Sequence, residues 1–277
     1  MANAPTKPTS PVKKESASAS GMFATLTIPI CIVVAILIYI FILGATSHFE
    51  GGDVEKGAPT DLYGTVHRGG SIVPLIMSYL LIVITFSIER FVVIGKASGT
   101  GSVDAFVRKV QGFLNAGNID AASGECDKQK GSVANVIKSG LKKYREMENE
   151  VGLDTDQKTL AIQKDIEEAT SLEMPMLEQN LTVIATLVSI GTLTGLLGTV
   201  VGMIKAFQTL AQSGAPNTTE LSTAISEALI NTALGISTSA LSIVMYNVFT
   251  SKIDKLTYAI DETGFSIVQT FAANHKN

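Results

Sequence analysis

Charged residues are scarce in this chain of 277 residues, and four long stretches have none at all. Only 17% of the residues are charged, 46% are hydrophobic and none is Trp, and the mean hydropathy is +0.32. A helix needs about 20 predominantly apolar residues to cross the roughly 30 Å of hydrocarbon in a bilayer. Each uncharged stretch is long enough, so we predict four membrane spans and exclude a soluble fold. The stretches are 16–49, 69–88, 179–204 and 228–251.

Cysteine and the usual catalytic motifs are also scarce. Cys31 lies in the first apolar stretch and Cys126 between the second and the third, which excludes a disulfide framework and a thiolate metal site. A Gly-rich phosphate loop, a His-Glu-x-x-His motif and a nucleophile elbow are all missing from the sequence. We therefore predict no catalytic residue, no metal, no cofactor and no nucleic-acid partner. A metal site at His48 and His67 is the alternative to the simpler interpretation of two surface histidines.

The positions of the basic residues predict how the chain is oriented. Arg90 and Lys205 sit at span ends; of the other Lys and Arg among the 21, eleven lie between the second and third stretches, three precede the first and three follow the fourth. The loop after the first stretch has two, and the turn after the third has none. Cytoplasmic segments carry the excess of Lys and Arg. Both termini and the region 95–180 are therefore predicted to be cytoplasmic.

The first apolar stretch has two possible interpretations. Its leader carries Lys7, Lys13 and Lys14, and small residues follow its apolar run, as in a cleaved signal peptide. The run exceeds the 7–15 residues of a typical signal core, and the polar leader is long. We favour a retained transmembrane anchor.

The predicted fold is therefore all-α: a polytopic membrane protein with long helices that extend into the cytoplasm and one additional N-terminal span. Its predicted segments are a disordered cytoplasmic tail (1–21), the additional N-terminal transmembrane helix (22–46), an outer loop (47–69), a transmembrane helix (70–94), a cytoplasmic helical region (95–180), a transmembrane helix (181–211), an outer turn (212–221), a transmembrane helix (222–251) and a cytoplasmic C-terminal helix or tail (252–277).

Helical periodicity is clear in the region 95–180. Three apolar stripes at i, i+3, i+4 and i+7 predict amphipathic helices that pack together. Pro175 predicts a kink where the last of them leads into the third span. Asn217 and Glu220 resemble a helix cap before the fourth span. The stripes are Val103, Phe106, Val107, Val110, Phe113 and Leu114; Val133, Val136, Ile137, Leu141 and Tyr144; and Ile162, Ile166, Ala169 and Leu172.

The third span carries a glycine stripe beside a row of hydroxyl groups. Small residues let membrane helices approach closely, so we assign the glycines to helix packing. The hydroxyls either satisfy backbone carbonyls or line a polar path, and Thr192 and Thr199 share one face with Ser189. The predicted packing glycines are Gly191, Gly195, Gly198 and Gly202, with Gly235 in the fourth span.

The fourth span begins with an acidic residue. Glu227 and Asn231 are i, i+4 neighbours, and Thr232 follows. An acidic residue at a membrane span is a candidate functional site, although an interfacial carboxylate at a helix N-terminus is the simpler alternative. No Asp, Glu or His lies deep in any span, so this chain alone does not build a complete titratable relay.

Three blocks of sequence resemble the MotA/TolQ/ExbB proton-channel family, most closely its ExbB/TolQ branch. They are Gly195–Phe207, Ile225–Gly235 and Tyr246–Phe249, and the spacing between them also fits. The resemblance covers residues 70–260 approximately and includes Glu89 and Arg90.

The resemblance implies a multi-pass subunit of the bacterial inner membrane, with the predicted outer side in the periplasm. It implies a homo-oligomer, a pentamer, that encloses an ExbD/TolR-like single-span partner carrying a membrane Asp. Proton flow would then energise envelope processes such as outer-membrane transport, through that partner and a TonB/TolA-like protein. Thr199, Thr232 and Glu227 match the pore-lining residues of the family, and Thr192 and Asn231 extend the expected ion pathway.

Several departures from the family keep alternatives open. The additional N-terminal span is not part of the common pattern, and Thr192 and Leu241 stand where many members have Pro. Extra hydroxyl groups suit Na⁺ as an alternative to H⁺. The rival functions are a flagellar-type or gliding-type stator subunit and a non-conducting membrane scaffold.

Overall fold

The computed structural model describes residues 15–54, 57–212 and 218–275, and their side chains over 25–54, 57–211 and 221–275. In these ranges the chain is almost entirely helical, and its extended pairing amounts to one isolated bridge between Phe49 and Pro59. The predicted all-α class is confirmed. The helices are α1 (Glu15–Leu37), α2 (Leu62–His67), α3 (Val73–Ala97), α4 (Val103–Asn115), α5 (Ile119–Gln129), α6 (Gly131–Asn149), α7 (Thr155–Glu178), α8 (Leu181–Gln212) and α9 (Thr218–Asn274).

Four helical segments are long and apolar enough to cross a membrane, as predicted. They belong to α1 with the π-helical turn Ile38–Leu43 that continues it, to α3, to α8 and to α9. Helices α4 to α7 lie at one end of the spans, which we call the insert side. Residues 44–54 and 57–69 lie at the other end, which we call the loop side.

Two helices extend past predicted segment boundaries. Helix α1 already begins at Glu15, inside the tail predicted to be disordered to residue 21, and residues 1–14 lie outside the described ranges. Helix α9 runs unbroken for 57 residues, through the boundary predicted at 252, which makes it about 86 Å long at 1.5 Å per residue. Apolar residues beyond position 252, such as Ile260 and Phe271, remain buried against the insert, which supports the continued helix. The proposed cap at Asn217 lies outside the described residues.

The insert packs its stripes around the distal half of α9. The stripes of α4 and α6 are buried almost completely, and Tyr144 meets the Phe271 ring edge-on at 4.8 Å between centroids. In α7, Ile162 and Ile166 are buried, and Ile166 fits against Gly140 and Gly264. The prediction fails at Leu172, which is 72% exposed, because the packed face of α7 continues instead through Met174 and Leu177.

The loop side is a compact structure held by polar contacts. The carboxylate of Asp61 accepts from the backbone N–H of Gly64, which lowers the pKa of Asp61, and it also pairs with His48 at 2.6 Å. His67 stacks on Tyr39 at 4.4 Å between ring centroids, and its burial lowers the pKa of the imidazole. His48 is only 19% exposed, so neither ring is a simple surface histidine. Among the described residues, no group of three or more His, Cys, Asp or Glu is placed to hold a metal.

Arg90 forms the junction between the membrane spans and the insert. Helix α7 continues past Pro175 and ends at Glu178, and Asn180 adopts a left-handed conformation with φ 63° before α8 begins. The break is therefore later than the kink predicted at Pro175. Arg90 is 1% exposed, and it donates to the carbonyls of Met176 (3.0 Å) and Leu177 (3.3 Å) and pairs with Glu89. It thus satisfies the last carbonyls of α7, which the break leaves without helical partners.

We expect Arg90→Gln to lower the free energy of unfolding by about 3 kcal/mol or more, because the change leaves Glu89 without its cation and the α7 carbonyls without their buried donor. The measurement is denaturant unfolding of the protein in detergent. Arg108→Gln, which removes the same charge from an exposed position on α4, should change it by less than about 0.5 kcal/mol. Equal effects of the two substitutions would contradict the assigned role.

Cys126 should be inert. Its side chain is 2% exposed, and burial raises the pKa of the thiol to about 12, so almost no thiolate is present at pH 8. A water-soluble maleimide should leave Cys126 unlabelled in the folded protein over minutes and label it after denaturation, as measured by mass spectrometry. A cysteine placed at the exposed Lys164 should be labelled at once under the same conditions.

Candidate functional site

Glycines line the contact between α8 and α9. A Cβ added at Gly235 of α9 would lie 2.6 Å from the carbonyl oxygen of Gly191 and 2.8 Å from the Cα of Gly195. At Gly202, an added Cβ would lie 2.7 Å from the Cβ of Ala228. At Gly235 the two backbones therefore touch without intervening side chains. All the predicted packing glycines lie in this contact: Gly191, Gly195, Gly198, Gly202 and Gly235.

The hydroxyl groups of the predicted pathway divide between the helix contact and the free surface. Thr232 donates to the carbonyl of Gly195 (3.1 Å) across the contact, and Thr192 donates to the hydroxyl of Ser239 (2.8 Å). Thr199 instead donates within its own helix to the Leu196 carbonyl at 2.6 Å and remains partly exposed. In a single chain, the structure does not bring Thr199 and Thr232 into one hydrogen-bonded group.

Asn231 connects α9 to the start of α3. Its side chain is 1% exposed, and Nδ2 donates to the carbonyl of Gly69 at 2.9 Å. Gly198 leaves the space for this amide, because a Cβ there would lie 3.1 Å from Nδ2. The amide oxygen Oδ1 is buried without a hydrogen-bond partner among the described residues. Asn231 therefore lies between three helices, not on an open surface.

Glu227 is ion-paired, which the sequence analysis did not anticipate. The ammonium of Lys205 on α8 donates to Oε1 of Glu227 at 2.7 Å. The carboxylate side chain is 13% exposed, whereas Lys205 is 48% exposed. Gly70 lies directly beside the carboxylate, and its φ of 77° together with the lack of space suits glycine. Lys205 follows Gly198 and Gly202 by seven and three residues, and this helical spacing could have placed it on the face that meets α9.

These features define a class of protein: a polytopic helical membrane protein whose polar groups lie along one tightly packed hairpin, α8–α9. The polar side chains bond mainly to one another and to backbone, and the loop-side end carries one Lys–Glu pair.

Residues 128–262 match the MotA/TolQ/ExbB proton channel family, and the chain carries a domain of that family. This match confirms the family predicted from the sequence. It begins at residue 128, whereas the predicted resemblance begins at about residue 70. The family is of the transport and channel type and is not a class of enzymes.

Named relatives come from the TolQ and ExbB branches. The Tol-Pal system protein TolQ of Pseudomonas aeruginosa is 24% identical over 202 residues, which is 71% of this chain and 86% of that protein. The putative biopolymer transport protein ExbB-like 3 of Synechocystis is 34% identical over 88 residues, covering 31% of this chain and 42% of that protein. The biopolymer transport protein ExbB of Aquifex aeolicus is 36% identical over 77 residues, covering 28% and 52%.

Gly235→Ala tests the hairpin contact. We expect it to destabilise the protein by about 1–3 kcal/mol, because the new methyl group would overlap the backbone of α8. Gly95→Ala in α3 is the matched control, since an added Cβ there meets nothing within 4 Å. Alanine is the better helix former by about 1 kcal/mol, so the control should leave stability unchanged or raise it. Denaturant unfolding in detergent measures both, and a stabilising Gly235→Ala would be inconsistent with the close contact.

Proposed function

We propose that this chain is the channel-forming subunit of an ion-driven complex in a bacterial inner membrane, and that H⁺ is the ion. The insert side faces the cytoplasm, because eleven of the 21 Lys and Arg lie between the spans that border the insert. Several copies, a pentamer by family resemblance, surround the single span of an ExbD/TolR-like partner. The partner transmits the work to an envelope process such as outer-membrane transport.

One observation carries this proposal: the polar groups of the α8–α9 hairpin form only part of an ion path. Thr199, Thr232 and Glu227 supply hydroxyl groups and one carboxylate, but no Asp, Glu or His lies deep in any span of the sequence. A proton needs a titratable group or ordered water at each step of its transfer. A carboxylate in the membrane span of a partner supplies the missing acceptor, and the exposed part of Thr199 is available to hydrogen-bond it.

The membrane potential limits the work that each transported ion can do. Each charge that moves down a membrane potential releases about 2.3 kcal/mol per 100 mV. Several ions are therefore required for a conformational change of ordinary size. The unbroken α9 joins the hairpin to the insert, so a rearrangement in the membrane reaches the insert without a flexible link.

The TolQ and ExbB relatives favour envelope energisation over a flagellar-type stator for this chain. Their names place those proteins in the Tol-Pal system and in biopolymer transport. Whether the ion is H⁺ or Na⁺ is decided by measuring uptake of each separately into liposomes that contain the complex isolated from native membranes.

We expect Thr199→Val and Thr232→Val each to lower ion uptake about tenfold, which is the effect of losing one hydrogen bond of about 1.4 kcal/mol in the path. Thr232→Ser should retain most of the uptake, since it keeps the hydroxyl group. Thr170→Val, which removes a comparable hydroxyl from the insert, is the control and should have no effect. Ion uptake that survives the double substitution Thr199→Val, Thr232→Val would contradict the roles assigned to these hydroxyl groups. A wild-type complex that takes up no ions would favour the rival function, a non-conducting membrane scaffold.

A further inference from the structure

The ion pair between Lys205 and Glu227 occupies the loop-side end of the proposed ion path. Lys205 lies seven residues before the end of α8, and Glu227 lies nine residues after the start of α9. At 1.5 Å per residue, both side chains start about 10–14 Å inside the helix ends. An ion that enters from this side therefore meets the pair before it reaches Thr199 or Thr232.

The carboxylate of Glu227 is enclosed on two sides. Lys205 covers Oε1 from α8, and the backbone of Gly70 lies against the same carboxylate from the start of α3. The neighbouring Gly69 carbonyl is held by Asn231, one turn further along α9. Because α9 and the start of α3 are joined at this point, the carboxylate has little freedom to turn away from the ammonium group.

The two partners differ in mobility. Glu227 is 13% exposed and short, whereas Lys205 is 48% exposed and has a four-carbon chain with the charge at its tip. A lysine near a membrane surface extends its ammonium group toward the polar interface at low cost. Lys205 is therefore the partner that can leave, and its departure exposes the carboxylate to the loop side.

We propose that the ammonium of Lys205 is a tethered counter-ion that closes the loop-side entrance by occupying Glu227. An incoming cation cannot bind the carboxylate until the ammonium group of Lys205 moves away to the polar membrane interface. Lys205 is thus a gating residue, and Glu227 is the site it blocks. This inference rests on the proposed function, because it assumes that ions pass Glu227.

Opposite effects of the two partners distinguish a gate from a merely structural ion pair. A structural pair predicts the same loss from Lys205→Met and from Glu227→Gln, since each breaks the same contact. A gate predicts that Lys205→Met raises passive ion uptake, whereas Glu227→Gln lowers it. The rise should be about tenfold, the fold-change expected when one hydrogen bond between charged groups is removed.

The experiment measures potential-driven proton uptake by the complex isolated from native membranes and placed in liposomes. Lys205→Arg keeps a cation opposite Glu227 and should therefore show none of the leak of Lys205→Met. The double variant Lys205→Met, Glu227→Gln should fall to the low rate of Glu227→Gln, because the leak needs the carboxylate. Lys164→Met removes the same charge from an exposed position on α7 and should change nothing. Size-exclusion profiles check that each variant assembles, and Lys205→Gln replaces Lys205→Met where the yield falls.

The outcomes separate this inference from the proposed function. A leak in Lys205→Met that the double variant abolishes supports the gate. An unchanged or lowered rate in Lys205→Met overturns the gate, and the proposed function stands if Glu227→Gln still lowers uptake. A wild-type complex that takes up no protons or Na⁺, with Lys205→Met equally inactive, overturns both.

Discussion

Direct backbone contact between α8 and α9 is the constraint on which the polar site depends. Lipid tails are as apolar as the side chains they would replace, so no hydrophobic force drives two membrane helices together. Glycines make the association possible, because they let dispersion and weak Cα–H···O contacts act along the whole seam. With a methyl group at Gly235, the helices would have to separate, and the hydrogen bond from Thr232 to the Gly195 carbonyl would lengthen.

The same close approach creates the polar environment at the loop-side end. Gly198 leaves room for the amide of Asn231, which reaches the carbonyl of Gly69 and so joins α9 to the start of α3. The neighbouring Gly70 then lies against Glu227, and α8 is near enough for Lys205 to pair with that carboxylate. The polar contacts of Asn231 and Glu227 therefore depend on the helix packing, because the glycines keep the helices close enough for these side chains to reach their partners.

Two connections join this hairpin to the insert, and they differ in kind. Helix α9 is continuous over 57 residues. Between α7 and α8 the chain breaks at Asn180, and the buried Arg90 holds the end of α7 through the carbonyls of Met176 and Leu177. The first connection is a continuous helix. The second is a helix break that the guanidinium group of Arg90 holds in place.

The sequence by itself determined the number of spans, the helical class, the family and the packing stripes of α4 and α6, because these follow from local composition and helical period. It located the seam glycines, since their spacing puts them on one face whatever the partner. Only the tertiary structure decided that Glu227 is paired with Lys205, that Arg90 holds the end of α7 and that Asn231 is buried. Each of these contacts joins residues far apart in the chain, and the relative rotation of two helices, which no local pattern encodes, decides which side chains meet.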